Sequence, residues 1–143
     1  MIRTALSAFF IALIFLSPSH SVQAQMPVHI EATTPDSVGN RLVFAMREAI
    51  RRSSSMTLED RAEDGFLLLK VVTLNPDESA RSNRTIYSIV WISKTLHETP
   101  VQMYLTNSVG LCGTSRVQHC AEDIVAETDR QASFIRGLLR AIH

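Results

Sequence analysis

Apolar residues recur along this chain with two different periods. Val28-His29-Ile30-Glu31-Ala32 alternates apolar and polar, the period-two signature of a short strand. Thr34-Pro35-Asp36 then reads as a helix start. Thr34 is placed to cap, proline is tolerated at the first helical position, and Asp36 suits the positive end of the helix dipole. From about Pro35 to Ser53 the period becomes helical. Val38, Leu42, Ala45, Met46, Ala49 and Ile50 form one stripe, while Asn40, Arg41, Arg47, Glu48, Arg51 and Arg52 fall mostly elsewhere. Gly39 is a local weakness near the start, and Ser53-Ser54-Ser55 ends the helix.

Asp64-Gly65 signals a turn. Phe66 to Leu74 is nearly all apolar and rich in branched residues, as expected of a central strand or one covered on both faces. Lys70 interrupts it. Its ammonium either reaches past the sheet rim while the stem packs, the commoner arrangement, or is buried with a shifted charge. Asn75-Pro76-Asp77 opens a polar loop to about Arg84. Thr85 to Lys94 is a strand with Ile86, Ser88, Val90 and Ile92 on one face and Tyr87, Ile89, Trp91 and Ser93 on the other. His97-Glu98-Thr99-Pro100 is a short turn, and Val101 to Thr106 a further strand. The connection is too short for a crossover, so these two strands pair as an antiparallel hairpin. Asn107 to Gly113 reads as turn-rich. A last helix runs from about Ser115 to Ala141, with Val117, Ala121, Ile124, Thr128, Ile135 and Leu138 in its stripe. Glu122 and Asp123 early and Arg136 and Arg140 late suit its dipole.

The order is strand, helix, three strands, helix. The first strand and Phe66–Leu74 form a right-handed parallel crossover, which the hairpin extends. Each helix has one apolar stripe. The predicted class is therefore α+β, a two-layer sandwich with a mixed sheet of about four strands and both helices on one face. The other face carries whichever strand residues remain. If Tyr87, Trp91 and Tyr104 fall there, they make an aromatic patch open to partners; a lone tryptophan in a small domain is more commonly core.

The N-terminal pattern concerns destination. Arg3 precedes an uncharged apolar run from Ala5 to Leu16, broken by Ser17-Pro18-Ser19, and Val22-Gln23-Ala24 offers a cleavage site. This is the layout of a secretory signal peptide over residues 1–24, followed by one exported domain, 25–143. An uncleaved anchor is the alternative, but the run is well short of the ~20 residues a spanning helix needs. No cysteine precedes Cys112 to carry a lipid. Export to the periplasm or outside the cell is expected, with no stable membrane anchor.

The 143-residue chain has 14 basic and 14 acidic residues; without Arg3 the balance is near −1, which implies no nucleic-acid partner. Cys112 and Cys120 are the two cysteines, and in an oxidising compartment an even count reads as one disulfide. The rival is a metal site of Cys112, His119 and Cys120, short of the four ligands zinc takes. No nucleophile elbow, phosphate-binding glycine loop or helical histidine pair is present, and no cofactor or catalytic residue is expected. The carboxylates Glu122, Asp123, Glu127 and Asp129 read as a solvated helix face. Arg41, Arg47, Arg51 and Arg52 form a basic strip, partly neutralised if Glu48 pairs with Arg52. That strip is either a solvated face or a contact for an acidic partner. Asn83-Arg84-Thr85 has the form of a glycosylation acceptor.

Across most of the segment after residue 24, the element order resembles the amino-terminal domain of the TolB translocation protein and related small periplasmic α/β domains. The local echo is Glu63-Asp64-Gly65-Phe66-Leu67-Leu68-Leu69, an acidic turn opening an apolar strand. The resemblance implies protein–protein contact in the envelope and carries over no functional residue. The expected function is an exported, non-catalytic binding or accessory domain with an unknown protein partner. The rivals are a small ligand-binding protein or enzyme with a helix–sheet pocket, and a secreted inhibitor or effector.

Overall fold

A computed structural model describes residues 24–77, 82–95 and 101–142. The apolar N-terminal run, the residues 96–100 expected as a turn, and part of the polar loop before Arg84 lie outside the described residues. Among the described residues the fold is α+β: five strands in one mixed sheet and two α-helices on one of its faces. The strands are β1 (Met26–Thr33), β2 (Met56–Glu59), β3 (Leu67–Leu74), β4 (Arg84–Lys94) and β5 (Gln102–Gly113); the helices are α1 (Ser37–Arg51) and α2 (Val117–Ile142). The sheet order is β2-β1-β3-β4-β5. β1 is parallel to both β2 and β3, and β3–β4 and β4–β5 are antiparallel.

The expected parallel pairing of β1 with β3 and the antiparallel hairpin are both present. The fifth strand is β2. It was not anticipated because four residues carry too little periodicity; its strand state comes from pairing Met56–Glu59 with Met26–His29. α1 therefore leads into β2, and residues 60–66 carry the chain back across β1 to β3. So short a return works because β2 ends opposite His29 while β3 begins opposite Val28. Phe66 N–H donates to the Pro27 carbonyl at 3.0 Å. Gly65 lies so close to β1 that a Cβ there would sit 2.7 Å from His29 Cβ and 3.1 Å from His29 N. The approach requires glycine.

β5 is longer than its sequence suggests. Asn107, Ser108 and Gly110 are poor strand formers, yet the stretch pairs without a break with β4, from Asn107 opposite Val90 to Gly113 opposite Arg84. Ladder hydrogen bonds override local preference there. The helix start also differs by two residues. Asp36, not Thr34, is the N-cap: its carboxylate accepts from Gly39 N–H at 2.7 Å. Thr34 instead donates to Asn40 Oδ1 at 2.6 Å.

The core lies between the helices and the sheet. Val28 and Ile30 from β1, Leu67, Leu69 and Val71 from β3, and Ile89 and Trp91 from β4 point into it. They meet Leu42, Met46 and Ile50 of α1 and Ala121, Ile124 and Ala132 of α2. Cys112, at the end of β5, and Cys120, in the first turn of α2, form a disulfide with Cα atoms 6.3 Å apart. It ties the edge strand to the helix above it.

Candidate functional site

The face of the sheet away from the helices is the most unusual surface of the molecule. Register defines its composition across β3, β4 and β5. Four cross-strand rows lie on it: Leu68–Ile92–Tyr104, Lys70–Val90–Asn107, Val72–Ser88–Val109 and Leu74–Ile86–Leu111. An antiparallel sheet with one solvated face normally alternates apolar-in and polar-out. Here nine of the twelve outward positions are apolar or aromatic, and Lys70 is the one charge among them. Val72, Leu74, Tyr104, Val109 and Leu111 are largely exposed, with Val109 at 69%. Ile86, Val90 and Ile92 are half-buried between them. Contiguous exposed apolar surfaces of this size are uncommon on monomeric proteins, which makes this face the candidate site.

The borders of the patch are polar. Lys70 Nζ lies 3.4 Å from Glu31 on the neighbouring β1, so the charge is exposed and paired rather than buried. β3 is thus covered on both faces only at its start. Leu68 is 4% exposed although it points away from the helices, because Gly65 of the return loop packs over it. Beyond Leu68, nothing among the described residues covers that face.

The residues anticipated as a partner surface are not brought together. Trp91 is 1% exposed and in the core, and its indole N–H donates to Thr128. Tyr87 shares the helix-side face and is half-buried; Tyr104 is exposed on the opposite face. The three aromatics therefore do not form one patch, because the two-residue alternation of β4 sends Tyr87 and Trp91 inward. A bulge between Trp91 and Ile92 places Tyr104 outward. On α1, Arg41, Arg51 and Arg52 are exposed, while Arg47 is half-buried and donates to the Ile30 carbonyl at 3.4 Å. Glu48 pairs with Arg51 at 2.5 Å, three residues on, rather than with Arg52. The basic strip is thus partly spent on structure.

The other polar groups are occupied in the same way. Asp36 accepts from Gly39 N–H and from the buried hydroxyls of Thr73 at 2.7 Å and Thr85 at 3.0 Å. Burial pushes its pKa up, but these bonds, with a further one from Val38 N–H, outweigh it and hold the carboxyl below its ordinary value. Asp129 accepts from Ser55 Oγ at 2.6 Å and lies 3.7 Å from Arg136. Glu127 accepts from Gln131 at 2.7 Å and pairs with Arg130. Among the described residues no group of three or more His, Cys, Asp or Glu is placed to hold a metal. Asn83 of the acceptor triplet is exposed, while Thr85 is fully buried.

A cavity of about 620 Å³ opens at the start of β1, lined by Met26, Pro27, Phe66, Lys94, Arg136 and Leu139 among others. Its cations hold the fold together: Lys94 donates to the Ala62 carbonyl, and Arg136 to the Ser55 carbonyl at 3.1 Å. Among the described residues these groups do not converge on a shared point in the cavity. The chain matches no protein-family model and no curated protein.

The sequence predicts a second face bare of helices, with Tyr87, Trp91 and Tyr104 as its candidate lining, but not the apolar rows that form it. The signal was present, in apolar residues at both parities of Phe66–Leu74 and Thr85–Lys94, but it has no meaning until the register is known.

Proposed function

We propose that this protein is an exported, non-catalytic binding domain of the cell envelope that lays the open face of β3, β4 and β5 against a protein partner. The observation that carries the reading is the apolar outward surface of the four rows from Leu68–Ile92–Tyr104 to Leu74–Ile86–Leu111. Burying such a surface against a partner gains roughly 25 cal/mol for each Å² removed from water. Three further features support it. The Cys112–Cys120 disulfide fits an oxidising compartment. Among the described residues no helix is long and apolar enough to cross a membrane. The cations Lys94 and Arg136 that line the cavity at β1 serve structural bonds. The resemblance in element order to the TolB amino-terminal domain points to the same kind of role, protein contact in the envelope.

The test compares two substitutions on one strand. Val72→Asp alters an exposed position and should change stability by no more than about 1 kcal/mol. Leu68→Asp puts a charge under the Gly65 loop and should unfold the domain. Wild-type protein should recover a partner from an envelope extract, and the folded Val72→Asp variant should not. Partner capture undiminished in Val72→Asp sinks the open-face reading. A metabolite that raises the melting temperature strongly, with no protein recovered, would favour the cavity at β1 instead.

A further inference from the structure

We infer that β5 is a self-association edge: two copies of this chain pair antiparallel along Thr106–Cys112, with Val109 on the two-fold axis, to form one continuous ten-stranded sheet. This goes beyond the partner-binding reading and is tested separately from it.

β5 ends the sheet order and, among the described residues, pairs only with β4, so one side of its backbone has no strand partner there. Proteins protect such edges with shortness, charge, proline or bulges. The opposite edge, β2, follows that rule, with four residues ending in Glu59. β5 does not. It runs for twelve residues, QMYLTNSVGLCG, with no charged residue and no proline. Its one irregularity, opposite the Trp91/Ile92 step, lies at the start of the strand and leaves Thr106–Gly113 in regular register.

The same features select a second copy as the occupant. A two-fold antiparallel pairing sets a strand against its own sequence, so any charge near the axis would meet its like. β5 has none to oppose. With Val109 at the centre, Ser108 faces Gly110 of the other copy and Asn107 faces Leu111. On the helix side the strand itself offers Thr106, Ser108, Gly110 and Cys112, all small; the Tyr87 ring of β4 lies over Gly110, and Asp123, Glu127 and Arg130 of α2 line the groove beside Thr106–Ser108. On the outer side Val109 would meet its twin, a β-branched pair of the kind that stabilises cross-strand contacts. A two-fold axis normal to the sheet keeps both outer faces on the same side. The two apolar surfaces then merge into one of double width.

Sedimentation of the purified protein over a dilution series should show twice the chain mass at high concentration. Val109→Lys and Val109→Glu should each be monomeric with native circular dichroism, and mixing the two should restore the dimer. Val109→Cys should cross-link under oxidation into a dimer released by reductant, since directly opposed Cα atoms lie within disulfide reach. This last arm decides the matter if the charged variants fail to fold. Val72→Asp, two strands away, should leave the dimer intact. A wild-type monomer at every concentration, a dimer that persists in Val109→Lys, or no cross-link from Val109→Cys each overturns the inference. Because Val109 also lies on the open face, Val72→Asp is the variant that separates the two readings: it should lose capture of a different protein and keep the dimer.

Discussion

The indole N–H of Trp91, in the second half of β4, donates to the hydroxyl of Thr128 on α2 at 2.9 Å, and that hydroxyl donates onward to the Ile124 carbonyl at 2.9 Å. Both residues are essentially without solvent contact. The bond fixes the height and rotation of α2 over the sheet, since a buried indole must find an acceptor. Thr128→Val keeps the shape and removes that acceptor. It should cost about 1–3 kcal/mol, read as a shift in urea midpoint at unchanged slope. Thr128→Ser keeps the hydroxyl and should cost less. Equal stability of Thr128→Val and wild type would show that the bond contributes nothing.

Gly39 makes an unusual prediction. An exposed glycine in a helix normally gains about 1 kcal/mol on change to alanine. Here a Cβ at Gly39 would lie 2.1 Å from Thr73 Oγ1 and 2.7 Å from Thr73 Cβ. Thr73 is buried and bonded to Asp36, so it has little room to give. Gly39→Ala should therefore destabilise the domain, by about 1–3 kcal/mol as overpacking does. A higher melting temperature for the variant would show that α1 can move away from β3.

Asp36 predicts part of the acid limb of stability. Its carboxyl is held below the ordinary value in the folded state by the bonds from Gly39, Thr73, Thr85 and Val38, against the opposing effect of burial. A group depressed on folding stabilises above its unfolded pKa and loses that contribution as pH falls through the folded value. Asp36→Ala should cost about 1–2 kcal/mol at neutral pH, the worth of an N-cap. The gap between variant and wild type should narrow below pH ~4, where the unfolded carboxyl begins to take up protons. Denaturation midpoints at several pH values give the comparison; a gap independent of pH would mean that the charge is not what matters.

The disulfide closes a short loop from Cys112 to Cys120. Loop-closure entropy alone assigns it about 2.5 kcal/mol. Intact mass after alkylation should show both thiols protected before reduction and free after it. Replacing both cysteines with serine should lower stability by a comparable amount and loosen the end of β5 first. Two free thiols in protein from its native compartment would contradict the pairing.

Much of the architecture was legible in residue order. The stripe Val38–Leu42–Ala45–Met46–Ile50 and its counterpart on α2 needed only the helical period. The alternation in Thr85–Lys94 correctly divided that strand into two faces, because side-chain direction in a strand follows from parity alone. The cysteine pair followed from their count and the inferred compartment. β2 was not legible: four residues have no period of their own, and β1 supplies their partner. Nor was the second half of β5, where Asn107, Ser108 and Gly110 suggest a turn until β4 lies alongside.

Local chemistry thus determined which segments are helical, which are extended, and which side chains share a face. Tertiary structure decided which of those faces stays bare and which strand stands at the edge. Both are properties of strand order, and strand order rests on contacts between residues far apart in the chain. Val72 and Val109 are equally apolar as letters to the buried Val28 and Val71. What separates them is that both helices pack on the other side of the sheet.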